Sequence, residues 1–135
     1  MGLEERKGGM MLVAGGRITT HVLDTSKGVP AAGVRVELFV LHGDGEKESR
    51  MKVAESVTNS DGRLDAPLLE GGKLEQGVYE LRFNVEGYYA QRSLEELGQA
   101  LWTVVPIRFA VSDAASHYHI PLLIAPGGYS TYRGS

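Results

Sequence analysis

Two histidines spaced two apart, His117 and His119, are the residues of this 135-residue chain whose spacing first suggests chemistry. On a β-strand such residues share a face, with Tyr118 and Ile120 turned the other way. A pair of this kind serves as metal ligands, as an acid/base pair, or simply as polarity on an exposed edge. A metal would need a third ligand, typically a histidine or a carboxylate. His21 is a candidate, but nothing in its spacing requires it, so no metal is expected. Imidazole titrates near neutral pH, and histidine acid/base work on a bound water is the chemistry these residues favour. His21 alone, between Thr20 and Val22, is most simply a solvent-side strand residue. Arg63 follows Asp61-Gly62, at the mouth of a turn from which a side chain reaches either a ligand or solvent. The final residues, Tyr132-Arg133-Gly134-Ser135, are either tail or part of a site.

Composition narrows the classes. There are no cysteines, which excludes disulfides, thiolate metal sites and a cysteine nucleophile. No Gly-x-Ser-x-Gly elbow and no phosphate-binding glycine loop is present. A net charge of −3 argues against a nucleic-acid partner. Hydrophobic residues make up 42%, enough for a packed core. The apolar run Met10 to Ala14 is far too short for a membrane span or a secretory signal. No membrane partner is expected, and a cytoplasmic setting fits. Residues 1–16 are expected to be a flexible leader, with one domain over 17–135.

The elements that must position these residues are mostly strands. Period-two alternation places Ile18, Thr20 and Val22 on one face, against Thr19, His21 and Leu23. Val34, Val36, Leu38 and Val40 alternate with Arg35 and Glu37, and Tyr79, Leu81, Phe83 and Val85 with Glu80, Arg82 and Asn84. A weaker strand is expected at Lys52 to Thr58, and further strands at Ile107 to Val111, His117 to Ile124 and Tyr129 to Arg133. Asp61-Gly62 marks a tight turn, because glycine supplies positive φ. Between Glu86 and Leu101 the period changes, with Leu94, Leu97 and Leu101 at helical spacing and Ser93 with Glu96 as a capping box. Tyr88-Tyr89 allow an earlier, shorter helix. Pro106 bounds the interval. The pattern predicts an all-β chain: a two-sheet antiparallel β-sandwich with one short helix. Its edge strands favour association.

Taken together, these segments resemble a known family. Ile18-Thr19-Thr20-His21-Val22-Leu23-Asp24, followed by Gly28-Val29-Pro30-Ala31, resembles the N-terminal signature of the transthyretin superfamily. His21 stands where the hormone carriers have lysine. Tyr118-His119-Ile120-Pro121-Leu122-Leu123 resembles the second signature, and Tyr132-Arg133-Gly134-Ser135 the ending of the transthyretin-like 5-hydroxyisourate hydrolases. Asn59-Ser60-Asp61-Gly62-Arg63 resembles the segment that carries those enzymes' arginine. Two features depart from the pattern: Ala125 and Gly127 replace a serine and an aromatic, and the stretch from Ser93 to Val105 is longer and more helical.

The resemblance implies a transthyretin-like sandwich, assembled as a homotetramer with sites at the dimer–dimer interface. It implies hydrolysis of a small-molecule substrate, 5-hydroxyisourate, to 2-oxo-4-hydroxy-4-carboxy-5-ureidoimidazoline in urate breakdown, without a cofactor. It assigns catalytic roles to His21, Arg63, His119 and Ser135, and substrate contacts to His21, Arg63, Tyr132 and Arg133. Either His21 or His119 is the base. Arg63 holds the substrate's heteroatoms, Tyr132 meets its flat ring, and a carboxylate on Ser135 orients a histidine. His117 is expected to be only a neighbour of His119. Two alternatives are a carrier of a small hydrophobic ligand in the same fold and an adhesive β-sandwich. A mostly apolar channel would not need so many ionisable groups.

Overall fold

The structure, a computed structural model, describes residues 15–92 and 94–135. Residues 1–14 of the expected leader, and the Ser93/Glu96 capping box, lie outside the described residues. The leader's last residue, Gly16, donates its N–H to the Ala114 carbonyl at 2.8 Å.

Eight strands form among the described residues: β1 (Arg17–Asp24), β2 (Val29–Pro30), β3 (Arg35–His42), β4 (Ser49–Val57), β5 (Gly77–Asn84), β6 (Val104–Val111), β7 (His117–Ala125) and β8 (Gly128–Thr131). They build two four-stranded sheets, in the orders β2-β1-β7-β8 and β4-β3-β5-β6. The alternation read from the sequence decides which side of each strand is buried. Ile18 and Val22 of β1, Val36 and Leu38 of β3, Leu81 and Phe83 of β5, and Leu122 of β7 have no exposure. They meet between the sheets as one core.

The sandwich departs from a purely antiparallel one at one pair. β1 and β7 run parallel over their whole length, from Arg17↔His117 to Asp24↔Ile124. Parallel neighbours cannot be joined by a hairpin, and here most of the domain lies between them in sequence. Two smaller differences have local causes. β4 carries an extra residue, Val53, because Leu38 pairs with Ala54 and Phe39 with Lys52. Beyond this bulge Leu41 is buried, and Val40, expected inward, is half-buried. Pro106 lies inside β6 rather than bounding it. β6 is an edge strand, where a missing N–H is tolerated.

The helical interval is divided in two, α1 (Val85–Ala90) and α2 (Leu94–Gln99). Asn84 caps α1, its side-chain oxygen accepting from the Gly87 N–H at 2.8 Å. α1 drives Tyr88 and Tyr89 into the core, each 1% exposed. The Tyr88 hydroxyl donates to Asp24 Oδ2 at 2.7 Å and accepts from Arg92 at 2.7 Å. Asp24, fully buried at the end of β1, also accepts from the Ser26 hydroxyl and the Ser26 and Lys27 amides. Burial alone would raise its pKa. The hydrogen bonds from Ser26, Tyr88 and Lys27 outweigh burial and hold the carboxyl below its usual range. α1 is thus tied to the strand that carries His21.

A folded-state pKa held below the unfolded value stabilises the protein above the unfolded value. That stability is lost as pH falls through the folded one. Tyr88→Phe removes one donor and is expected to cost about 1–3 kcal/mol at neutral pH. Its deficit relative to wild type should narrow on acidification, as Asp24 protonates. Urea unfolding at neutral and acid pH checks this, and equal midpoints at neutral pH would contradict it.

Candidate active site

The site is built on the face of the first sheet that points away from the core. With Ile18, Thr20 and Val22 inward, Arg17, Thr19 and His21 of β1 stand outward, beside His117 and His119 of β7. The parallel register sets Thr19 opposite His119 and His21 opposite Pro121. A cleft of about 320 Å³ opens here. Its lining includes Arg17, Thr19, Arg63, His117, His119 and Ser135, with Leu64 to Pro67 along one side.

Arg63 reaches this face because its loop is fastened to β1. Asn59 Oδ1 accepts from the amides of Asp61 and Arg63, closing the turn. Gly62 has φ +75°, and a Cβ there would stand 2.4 Å from the Val22 carbonyl oxygen, so only glycine fits. The Gly62 carbonyl in turn accepts from the Val22 N–H at 2.8 Å. The outcome is a bridge between His21 and Arg63. Arg63 has no ion-pair partner among the described residues, so its guanidinium is available to a ligand.

The C-terminal segment reaches the same place by another route. β8 pairs with β7 from Ala125↔Gly128 to Leu122↔Thr131. Continuing that register would set Tyr132 against Pro121, which has no N–H to give. The ladder lapses there and resumes at His119↔Gly134, where the Gly134 N–H donates to the His119 carbonyl at 2.7 Å. A Cβ on Gly134 would lie 2.5 Å from His119 Cδ2. The glycine therefore lets the chain close over the imidazole edge and brings Ser135 to the cleft.

The two outer-face histidines of β7 share one hydroxyl. Thr19 Oγ1 is 2.7 Å from His119 Nδ1 and 2.8 Å from His117 Nε2. His119 Nε2 has no hydrogen-bond partner among the described residues. His21 Nε2 lies 3.0 Å from the Asp61 carbonyl, which can only accept, so that nitrogen carries a proton. All three histidines titrate below their ordinary value. For His119 burial acts first, then Arg63, His117 and His21. For His21 burial and Arg63 outweigh the raising effect of Asp61. For His117 the causes are burial, Arg17 and Arg133. Burial first, and neighbouring cations after it, thus favour neutral imidazoles.

The outer face of the second sheet is different. There Arg35 and Lys52 pair with Glu37 and Glu55, and Arg82 and Arg108 with Glu80, Arg108 also with Glu48. Those charges neutralise one another, whereas the first sheet presents cations and imidazoles to the cleft.

Of the residues singled out from sequence, Arg63, His119 and Ser135 line one cleft, together with His117. His21 stands beside it, bridged to Arg63. Tyr132 is 57% exposed and, like Arg133, is not part of the lining. The Arg133 guanidinium lies 4.5 Å from the Tyr118 ring centroid and donates to the His117 carbonyl at 3.2 Å. Thr19 and Arg17 were not singled out. Alternation alone put Thr19 on His21's face, but its partners follow only from the register with β7. Ala125 lies six residues along β7 from His119, roughly 20 Å away at about 3.3 Å per residue, and is not part of the lining.

The model of the HIUase/Transthyretin family matches residues 18–134. The 5-hydroxyisourate hydrolase of Halalkalibacterium halodurans is 54% identical over 120 residues, covering 89% of this chain and 98% of that protein. The enzyme of the same name from Deinococcus radiodurans is 52% identical, covering 87% and 95%. Among solved structures, Klebsiella pneumoniae 5-hydroxyisourate hydrolase superposes with a TM-score of 0.69 at 36% identity, covering 89% of this chain and 99% of that one. A match that spans both sheets and every strand of the cleft leaves one assignment: the chain belongs to the HIUase/Transthyretin family.

Proposed function

We propose that this protein hydrolyses 5-hydroxyisourate in the outer-face cleft of its first sheet, with His119 as general base and Arg63 as the substrate-holding cation. The observation that carries this is the pairing, in one cleft, of an imidazole kept neutral by its surroundings with a guanidinium that has no carboxylate partner among the described residues. His119 is preferred to His21 because it lines the cleft with Nε2 uncommitted, while His21 Nε2 is held by Asp61. Relatives at 54% and 52% identity bear the name of this activity. The polar lining, with Arg17, Thr19, Arg63, Asp65, His117 and His119, does not suit a carrier of apolar ligands.

The chemistry follows from the groups present. Arg63 offers a planar fork of donors to the heteroatoms of a flat, oxygen-rich ring. Water held by His119 Nε2 loses a proton to that nitrogen as its oxygen bonds to a ring carbonyl carbon. Negative charge gathers on the carbonyl oxygen, where Arg63 offsets it. The ring C–N bond then breaks, and the leaving nitrogen takes up the proton that His119 acquired. His21, bridged to Arg63, holds the guanidinium loop and adds a second polar wall. Ser135 adds to the lining beside His119, on the segment that also carries Tyr132 and Arg133. The protein acts in the cytoplasm as a homotetramer, in which neighbouring copies cover this open face and shield the cleft from bulk solvent.

Generating 5-hydroxyisourate in situ from urate with urate oxidase, and following its ultraviolet absorbance, tests the proposal. The protein should accelerate the decay; a rate equal to the spontaneous one would end it. His119→Ala should lower kcat about 10²- to 10⁴-fold with the fold intact by circular dichroism. Because the His119 pKa is depressed, the neutral base persists below the ordinary histidine range. The acid limb of kcat/KM should therefore lie below that range, and a limb at or above it would count against His119.

Gly134→Ala sets a methyl against His119 Cδ2. Stability should change little, since this is one residue near the chain end, while kcat falls about tenfold or more, as for a misplaced catalytic group. Unchanged kcat would mean that the glycine does not position His119.

A further inference from the structure

Beyond the cleft's two principal groups, the Thr19 hydroxyl stands between two imidazole nitrogens, 2.7 Å from His119 Nδ1 and 2.8 Å from His117 Nε2. A hydroxyl has one proton to donate and lone pairs to accept with. For both contacts to be hydrogen bonds with neutral rings, one of these nitrogens must be bare and the other protonated. The two rings are then not independent: the tautomer of one fixes that of the other. Both orientations of the chain keep every contact satisfied, so it can reverse without any heavy atom moving.

We infer that His117, Thr19 and His119 form a proton relay, which carries the proton taken from water from His119 to the second imidazole of the cleft. The inference rests on the hydrolase reading for its role in turnover. Before attack, His119 holds a proton on Nδ1 and a lone pair on Nε2, and His117 Nε2 is bare. As water gives a proton to His119 Nε2, the Nδ1 proton passes to Thr19 Oγ1, and the Thr19 hydroxyl proton passes to His117 Nε2. One proton leaves water and one arrives on His117, while His119 stays neutral and Thr19 stays a hydroxyl. The reverse sequence returns the proton for the leaving ring nitrogen.

Geometry supplies a reason for the relay. His119 shares the cleft with Arg63, which disfavours imidazolium there. His117 lies one ring further on, 6.1 Å between centroids, and Arg63 is not among the charges that depress it. Burial, Arg17 and Arg133 act on His117 in the same direction, so a proton delivered there is given back rather than retained. Thr19 is a positioning and relaying residue, and His117 is the far terminus of the chain rather than a bystander.

Four variants, a proton inventory and one spectroscopic measurement test this. Thr19→Val keeps the shape and removes the hydroxyl. It should lower kcat about 10- to 100-fold, below the full effect expected of a lost general base, with KM little changed. Thr19→Ser should restore most of kcat. His117→Gln should lower kcat to a similar extent, and the Thr19→Val/His117→Gln double variant should be no worse than either single, as for members of one chain. A proton inventory in mixed light and heavy water should be curved for wild type and linear for Thr19→Val. Normal kcat in His117→Gln, or additive losses in the double variant, would overturn the relay while leaving the hydrolase reading intact. Independently of turnover, ¹⁵N shifts of the imidazoles near neutral pH should show one bridging nitrogen protonated and the other bare. Two bare or two protonated nitrogens would overturn the relay even if the protein proved inactive on 5-hydroxyisourate.

Discussion

The parallel pairing of β1 with β7 is the constraint on which the rest depends. One register sets Thr19 against His119 and His21 against Pro121. A slip of β1 by one residue would turn Thr19 and His21 into the core and expose Ile18, Thr20 and Val22. The register is held from inside as well as along the ladder. Thr20 Oγ1 donates to the Ile120 carbonyl at 2.6 Å, and Thr25 bonds the Ile124 carbonyl through both its amide and its hydroxyl. At the far end of β1, Asp24 is buried and tied through Tyr88 to α1. The imidazoles are therefore carried by a rigid sheet rather than by loops, which suits groups that must stay within hydrogen-bond reach of one another.

Two segments then close on that strand pair from opposite sides. The Asn59–Arg63 turn bonds to β1 and presents Arg63. The C-terminal segment leaves β7 at Pro121 and returns at His119 through Gly134. At Gly62 a glycine permits an approach to the Val22 backbone that no side chain would allow, and at Gly134 a Cβ would press on the His119 ring. The functional face is thus cationic and open, while the second sheet's outer face closes its own charges in pairs. Burial and neighbouring arginines favour neutral imidazoles, and neutral imidazoles are what proton abstraction from water requires.

Much of the fold is legible in the sequence because alternation is a local signal. The inward faces of β1, β5 and β7 follow from residue spacing alone, and Asp61-Gly62 announces its turn. Leu94 and Leu97 mark α2 and Tyr88-Tyr89 mark α1, but Leu101, at the same spacing, lies beyond the end of α2. What the sequence hides is pairing between distant segments. Alternation turns Thr19 rather than Thr20 outward, but its contacts with His117 and His119 span 98 and 100 positions, and no local pattern names those partners. The same holds for Tyr88 with Asp24, 64 positions apart. Arg63, His119 and the Tyr132–Ser135 ending were legible as candidates through resemblance to a family, with Arg63, His119 and Ser135 now found at one cleft. His117 is visible as one of a pair, yet its link to His119 runs through a threonine on another strand.

A crystal structure with an unreactive, planar purine analogue bound would test the central claim most directly. The cleft between Arg63 and His119 should hold it, with the guanidinium within hydrogen-bond distance of ring heteroatoms and His119 Nε2 facing the ring. Binding instead at the groove lined by Val40, Met51 and Tyr79 beside the second sheet would contradict the account. So would an analogue in the cleft that touches neither Arg63 nor His119.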